Sequence, residues 1–131
     1  GDGVPQDYAE AAAWYQKAAA QGNVRAQFSL GSMELKGEGV PQNPAEAVKW
    51  FRQAAEHGLV DAQLSLGEMY LNGEVVERDR AESYVWYSIA AAKGVAAARK
   101  PLELAKEELD PAELSVAQSR ATEIFKKIQS N

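Results

Sequence analysis

An all-α solenoid of antiparallel helix pairs, closed by a C-terminal capping helix, is the fold class this sequence predicts. Three observations predict it. The stretch Trp50-Phe51-Arg52-Gln53-Ala54-Ala55-Glu56-His57-Gly58 returns in outline over 14–22 and over 86–94, at a spacing of 36 residues. A fixed period of that size marks stacked repeats that bury their apolar faces on one another. Ahead of each copy stands an Asx residue with a glutamate three positions on: Asp7 with Glu10, Asn43 with Glu46, Asp79 with Glu82. That is the capping-box spacing of a helix N-terminus. Finally, hydrophobic residues make up 46% of the chain, and alanine carries much of that share. Such a composition suits close helix–helix contact better than a thick sheet core.

Gly1-Asp2-Gly3-Val4-Pro5-Gln6 reads as a loop. It matches the connector Gly37-Glu38-Gly39-Val40-Pro41-Gln42 and, more loosely, Gly73-Glu74-Val75-Val76-Glu77-Arg78. Helices follow over 8–21, 44–57 and 80–93, with Asp7, Asn43 and Asp79 as N-caps. Pro44 takes the first helical position, where its missing N–H costs nothing. The sets Ala11/Trp14/Ala18, Ala47/Trp50/Ala54 and Ser83/Trp86/Ala90 each fall on one helical face. Each tryptophan is expected to fill the core of its own repeat. Gly22, Gly58 and Gly94 end these helices in left-handed caps.

A second helix follows each of the first two glycines, over 24–36 and 60–72. Ala26-Gln27-Phe28-Ser29-Leu30-Gly31 matches Ala62-Gln63-Leu64-Ser65-Leu66-Gly67. A glycine inside a helix costs about 1 kcal/mol against alanine, so its return at Gly31 and Gly67 implies close approach of a neighbouring helix. Glu34 stands where Tyr70 stands one repeat later, which predicts a lost or replaced inter-helix contact. Val75 and Glu77 replace the glycine and proline of the earlier connector, which predicts a turn of another shape.

After Gly94 the pattern decays. Ala98 and Leu102 keep the register of Ala62 and Leu66, but Pro101 predicts a kink or a delayed start, with helix to about Glu108. Asp110-Pro111 opens a last helix over 111–129. Its apolar stripe is Leu114, Ala117, Ala121, Ile124, Phe125 and Ile128, and Glu113, Gln118, Arg120, Glu123 and Lys127 face the other way. The expected organisation is one helical-repeat domain over 1–131. Repeats run to 94 with the first incomplete, a partial repeat helix covers 95–109, and the capping helix covers 110–131.

The formal charge of −5 provides no footprint for nucleic acid or anionic lipid. With no cysteine and one histidine, disulfides, thiol chemistry, cysteine–zinc sites and two-histidine metal sites are excluded. No apolar run approaches the ~18 residues of a membrane-spanning helix. The opening at Gly1, inside a repeat, reads as a piece of a longer precursor. The repeated glutamates are explained by capping. His57 aligns with Gln21 and Lys93 beside the helix-ending glycines and has no nucleophile at hand. Glu107, Glu108, Asp110 and Glu113 read as solvated surface. No catalytic residue, cofactor or metal site is assigned.

The motif Leu66, Gly67, Tyr70, Gly73, then Asp79, Trp86-Tyr87 and Ala90-Ala91, resembles the Sel1-like repeat, a branch of the tetratricopeptide-like helical repeats. The resemblance covers about 1–109, and the closing helix is similar to tails that follow such repeats in bacterial proteins. It implies a right-handed superhelix serving as an adaptor in protein complexes. It also favours a bacterial periplasmic or secreted location over a cytoplasmic one. The β-lactam binding linked to cysteine-rich members is not carried over to a chain without cysteine.

In the resembled family the first helix of each pair lines a concave groove. Carried over by register, the groove residues are Arg25, Phe28, Ser32, Leu35 and Lys36; Asp61, Leu64, Glu68, Leu71 and Asn72; and Lys100 with Leu104. Apolar residues between charges suit a peptide groove. A second reading packs Phe28, Leu35, Leu64 and Leu71 beneath the final helix, and both readings stand. The expected function is a scaffold that binds a partner protein or peptide without catalysis. The alternatives are an envelope-associated enzyme acting on cell-wall components, or a structural segment of a longer array. In the last case the uncovered face of helix 8–21 would self-associate through Ala9, Ala12 or Ala13.

Overall fold

The computed structural model describes residues 4–130, with side chains from Asp7 onward. The described residues form seven α-helices and no strand: α1 (Val4–Ala20), α2 (Val24–Lys36), α3 (Pro44–Glu56), α4 (Val60–Asn72), α5 (Arg80–Ala92), α6 (Arg99–Glu107) and α7 (Pro111–Ser130). A 3-10 turn, Ala96–Ala98, leads into α6. This is the all-α repeat fold expected from the periodicity. The helices after α1 match the expected spans to within a residue or two at their ends. The chain divides into two compact units, Gly1–Ala54 and Ala55–Asn131.

In the first unit α1 and α2 form an antiparallel hairpin. Gly22 closes α1 at φ +93°, and the Asn23 side chain accepts a hydrogen bond from the Ala26 amide (2.9 Å) to open α2. Ala19, Ala26 and Leu30 make the core, and Tyr15, Ala18 and Trp50 pack against it. The Gln27 amide, buried here, donates to the Ala19 carbonyl (3.2 Å) at the end of α1 and to Gln53 Oε1 (3.3 Å) on α3. It is a second donor to this carbonyl, which also accepts from the Gly22 amide (3.0 Å) where the helix ends. Gln63 repeats the bond to Ala55 (3.1 Å). Gly31 is in the close approach its position implied: a Cβ there would lie 3.2 Å from both the Ala47 carbonyl and the Phe51 ring.

In the second unit α5 is the central element, with α4, α6 and α7 packed on it. It buries Ser83, Tyr84, Val85, Trp86, Tyr87, Ile89 and Ala90, which lie all round the helix. A Cβ on Gly67 would come within 2.8 Å of the Tyr87 ring. The Ser83 hydroxyl donates to the Gly67 carbonyl across the same contact (2.9 Å). Pro101 is the third residue of α6, in the first turn, where an N–H has no intrahelical acceptor. The 3-10 turn therefore takes up the delayed start. Asp110 and Glu113 form a complete capping box at α7 (3.0 and 2.8 Å).

Several expectations are corrected. The loop over 1–6 is helix from Val4 onward, and Gly1–Gly3 lie outside the described residues. Pro5, with φ fixed near the helical value, fits a first turn. Asp7 therefore sits inside that turn as a favourable charge and is not an N-cap. Trp14 is 63% exposed, whereas Trp86 is 1% exposed. The reason is register: Trp50 packs on α1 and α2, and no described helix precedes α1 to receive Trp14. Ala12 is buried, so of the three alanines named for self-association only Ala9 and Ala13 lie on the open surface.

The third connector does not change shape. Val75 takes φ +74°, matching Gly39 at +77°. Equivalent anchors hold both connectors. Gly37 and Gly73 donate to the carbonyls of Met33 and Met69, while Asn43 and Asp79 donate to those of Glu34 and Tyr70. The side chains of Gln42 and Arg78 reach Leu35 and Leu71. The frame imposes a left-handed residue even where the sequence supplies a β-branched one. Arg120 of α7 does not face away; it pairs with Glu82 of α5.

Candidate functional site

Each proposed partner-binding residue is placed by a helix whose core face is already committed. On α2, Ala26, Leu30 and Met33 are buried, which leaves Arg25 and Lys36 exposed and Phe28, Ser32 and Leu35 half-buried. Phe28 leans on Phe51 of α3, with ring centroids 5.2 Å apart and planes tilted by 55°. On α4, Ala62, Leu66 and Met69 are buried, while Asp61, Glu68 and Asn72 are exposed. Leu64 and Leu71 are half-buried against Tyr87, Ala90 and Ala98. The final helix lies along α5, while Phe28 packs on Phe51 and Leu64 and Leu71 pack on Tyr87, Ala90 and Ala98. On α6, Lys100 and Leu104 are exposed.

Each unit thus presents a helix face on which charges alternate with half-buried apolar side chains. The α2 face carries cations, Arg25 and Lys36. The α4 face carries Asp61, Glu68 and the amide Asn72. Burial and the Glu68 charge push the Tyr87 hydroxyl up to about 12, so Tyr87 is neutral across physiological pH.

Shallow cavities follow α7. One of about 270 Å³ lies between α5 and α7, lined by Ile89, Ala92, Ala121 and Phe125, with Ser88, Thr122, Lys126 and Gln129 at its polar edge. Another of about 250 Å³, at the start of α5, brings Arg78, Asp79 and Arg80 together with Glu108 and Glu113. Arg80 pairs with Glu108 there. Neither is lined by Glu103 or Glu107. Among the described residues no three His, Cys, Asp or Glu side chains gather as a metal site. No described helix is long and apolar enough to cross a membrane.

The sequence reading missed one polar pair. Glu34 is 5% exposed. Burial first, then a hydrogen bond and charge repulsion from Glu46, raise its carboxyl from 4.5 to about 7. The signal was partly visible, since Glu34 interrupts an apolar register. Its partner was not, because the capping-box spacing alone accounts for Glu46 in the sequence.

The model of the Sel1 repeat matches residues 1–23, 24–59 and 60–95. The chain belongs to the Sel1 repeat family. Two solved structures are similar to this Sel1 repeat chain. One is c5321, a protective antigen present in uropathogenic Escherichia coli strains displaying an SLR fold, at 34% identity and TM-score 0.83. The other is a Sel1 repeat protein from Oxalobacter formigenes, at 39% identity and TM-score 0.67. The matches cover 92% and 71% of this chain but 26% and 38% of those chains, so the chain spans well under half the length of either. No curated protein matches. Sel1 repeats are helical scaffolds that commonly mediate protein interactions.

Proposed function

We propose that this Sel1 repeat chain is a non-catalytic scaffold that holds a protein or peptide partner on the exposed faces of its first-in-pair helices. The observation that carries this is the contrast within α2 and α4. Their inner faces are fixed by alanine, leucine and glycine packing, while their outer faces keep separated charges over a rigid apolar floor. A rigid surface binds without ordering cost, which favours recognition of a partner segment. Arg25 and Lys36 suit acidic groups; Asp61 and Glu68 suit basic ones.

The test is co-purification of the native protein from its source cells, with charge-reversed variants alongside. Arg25→Glu with Lys36→Glu, and Asp61→Lys with Glu68→Lys, alter exposed side chains and leave the core intact. Loss of a reproducibly co-purifying partner in at least one double variant, with circular dichroism unchanged, supports the proposal. Retention of the same partner in both counts against it.

A further inference from the structure

We propose that the Glu34–Glu46 carboxyl pair is a proton-operated latch on the corner between α2 and α3. A proton shared by the two side chains holds the corner closed, and its loss releases the 37–43 connector.

Asn43 is tied to both glutamates through the backbone. Its amide donates to the Glu34 carbonyl (2.8 Å), and its side chain accepts from the Glu46 amide (3.2 Å). The two side chains are hydrogen-bonded to each other at this corner. Glu34 comes from inside the α2 packing, with one oxygen buried and unpartnered. Glu46 comes from the exposed first turn of α3.

A buried carboxylate is costly without a compensating charge. The charge of Glu46 acts on Glu34 and is of like sign. Two carboxylates in such a site share a proton. Once Glu34 loses its proton, repulsion acts directly across the corner that Asn43 bridges.

The next repeat provides an internal control. The Asp79 amide donates to the Tyr70 carbonyl (3.0 Å), and its side chain accepts from the Glu82 amide (3.1 Å). The frame is the same, with Tyr70 in the place of Glu34. The latch is thus one residue laid on a repeated corner. It acts on the end of α2, where Leu35 receives the Gln42 side chain and where Lys36 is exposed.

The sign follows from linkage. A carboxyl whose folded value lies above its unfolded value contributes stability that is full below the unfolded value and is lost as pH rises through the folded one. With values of 4.5 and about 7, the closed corner weakens between pH 4.5 and 7 and is level above that. Amide hydrogen exchange followed by NMR, corrected for base catalysis, reads this directly. Protection at Asn43 and Glu46 is expected to fall about tenfold or more between pH 5 and 7.5. Protection at Asp79 and Glu82 should stay level, and so should Asn43 in Glu34→Gln. Should that variant fold poorly, Glu34→Tyr, the side chain the second corner already accepts, serves the same purpose. A level Asn43 profile in the wild type, or the same fall in the variants, overturns the latch. So does a carbon-13 titration of the intact chain in which Glu34 ionises with the ordinary carboxylates.

Discussion

Replacing Gly67 by alanine sets two effects of known sign against each other. Alanine is the better helix former by about 1 kcal/mol, so an uncrowded site would gain that much. Gly67 is not uncrowded. The added methyl would lie 2.8–2.9 Å from three carbons of the Tyr87 ring, well inside van der Waals contact. Tyr87 is 4% exposed and is part of the α5 core, so the ring has no solvent to swing into. The same shift would stretch the buried Ser83 bond to the Gly67 carbonyl. Overpacking of this kind costs about 1–3 kcal/mol. The net expectation is a loss of about 1 kcal/mol, with the gain in propensity already subtracted. Gly31→Ala is milder, since its closest contacts are at 3.2 Å, and should lie near neutral. Urea denaturation of the two variants beside the wild type measures the difference. Combining Gly67→Ala with Tyr87→Leu should cost less than the sum of the two single changes, because both relieve or create the same contact. A Gly67→Ala variant more stable than wild type would refute the close-approach reasoning.

Other perturbations have equally definite outcomes. Val75→Gly should stabilise by about 0.5–1 kcal/mol in thermal denaturation. Relief of a β-branched residue at positive φ outweighs the added freedom of glycine in the unfolded chain. Trp86→Ala should cost about 3–5 kcal/mol, whereas Trp14→Ala should change stability by under about 1 kcal/mol, as fluorescence-detected unfolding would show. The stability difference between wild type and Glu34→Gln should move by about 1–2 kcal/mol in favour of the variant from pH 4.5 to 7. The ceiling of roughly 3 kcal/mol is reduced by solvent at the exposed Glu46; calorimetry across that range reads it.

The parts of the fold legible in the sequence are those written locally. Asn43, Asp79 and Asp110 are caps because a side-chain oxygen finds an amide three residues on, and Gly22, Gly58 and Gly94 end helices because each can take positive φ. Neither requirement depends on the rest of the chain. Gly31 and Gly67 were legible as close approaches because a costly residue returned in register. What escaped depends on neighbours. Trp14 holds the same place in the repeat as Trp50 and Trp86, but burial is decided by the helices beside it. Val75 and Glu77 predict a turn of another shape, and anchors at both ends of the connector overrule them. Glu34 was visible as a departure from Tyr70, yet only the folded corner brings Glu46 to it. Asn23 caps α2 through its side chain, yet no acidic residue three positions on marks it in the sequence.

The claim that specificity lies on the outer faces of α2 and α4 is tested most directly by site-specific photocrosslinking in the source cells. A benzophenone side chain would replace Lys36, Asn72 and, as a control on the outer face of α7, Gln118. A discrete crosslinked partner from position 36 or 72, and none from 118, is the predicted result. Crosslinks that arise only from 118 would contradict it.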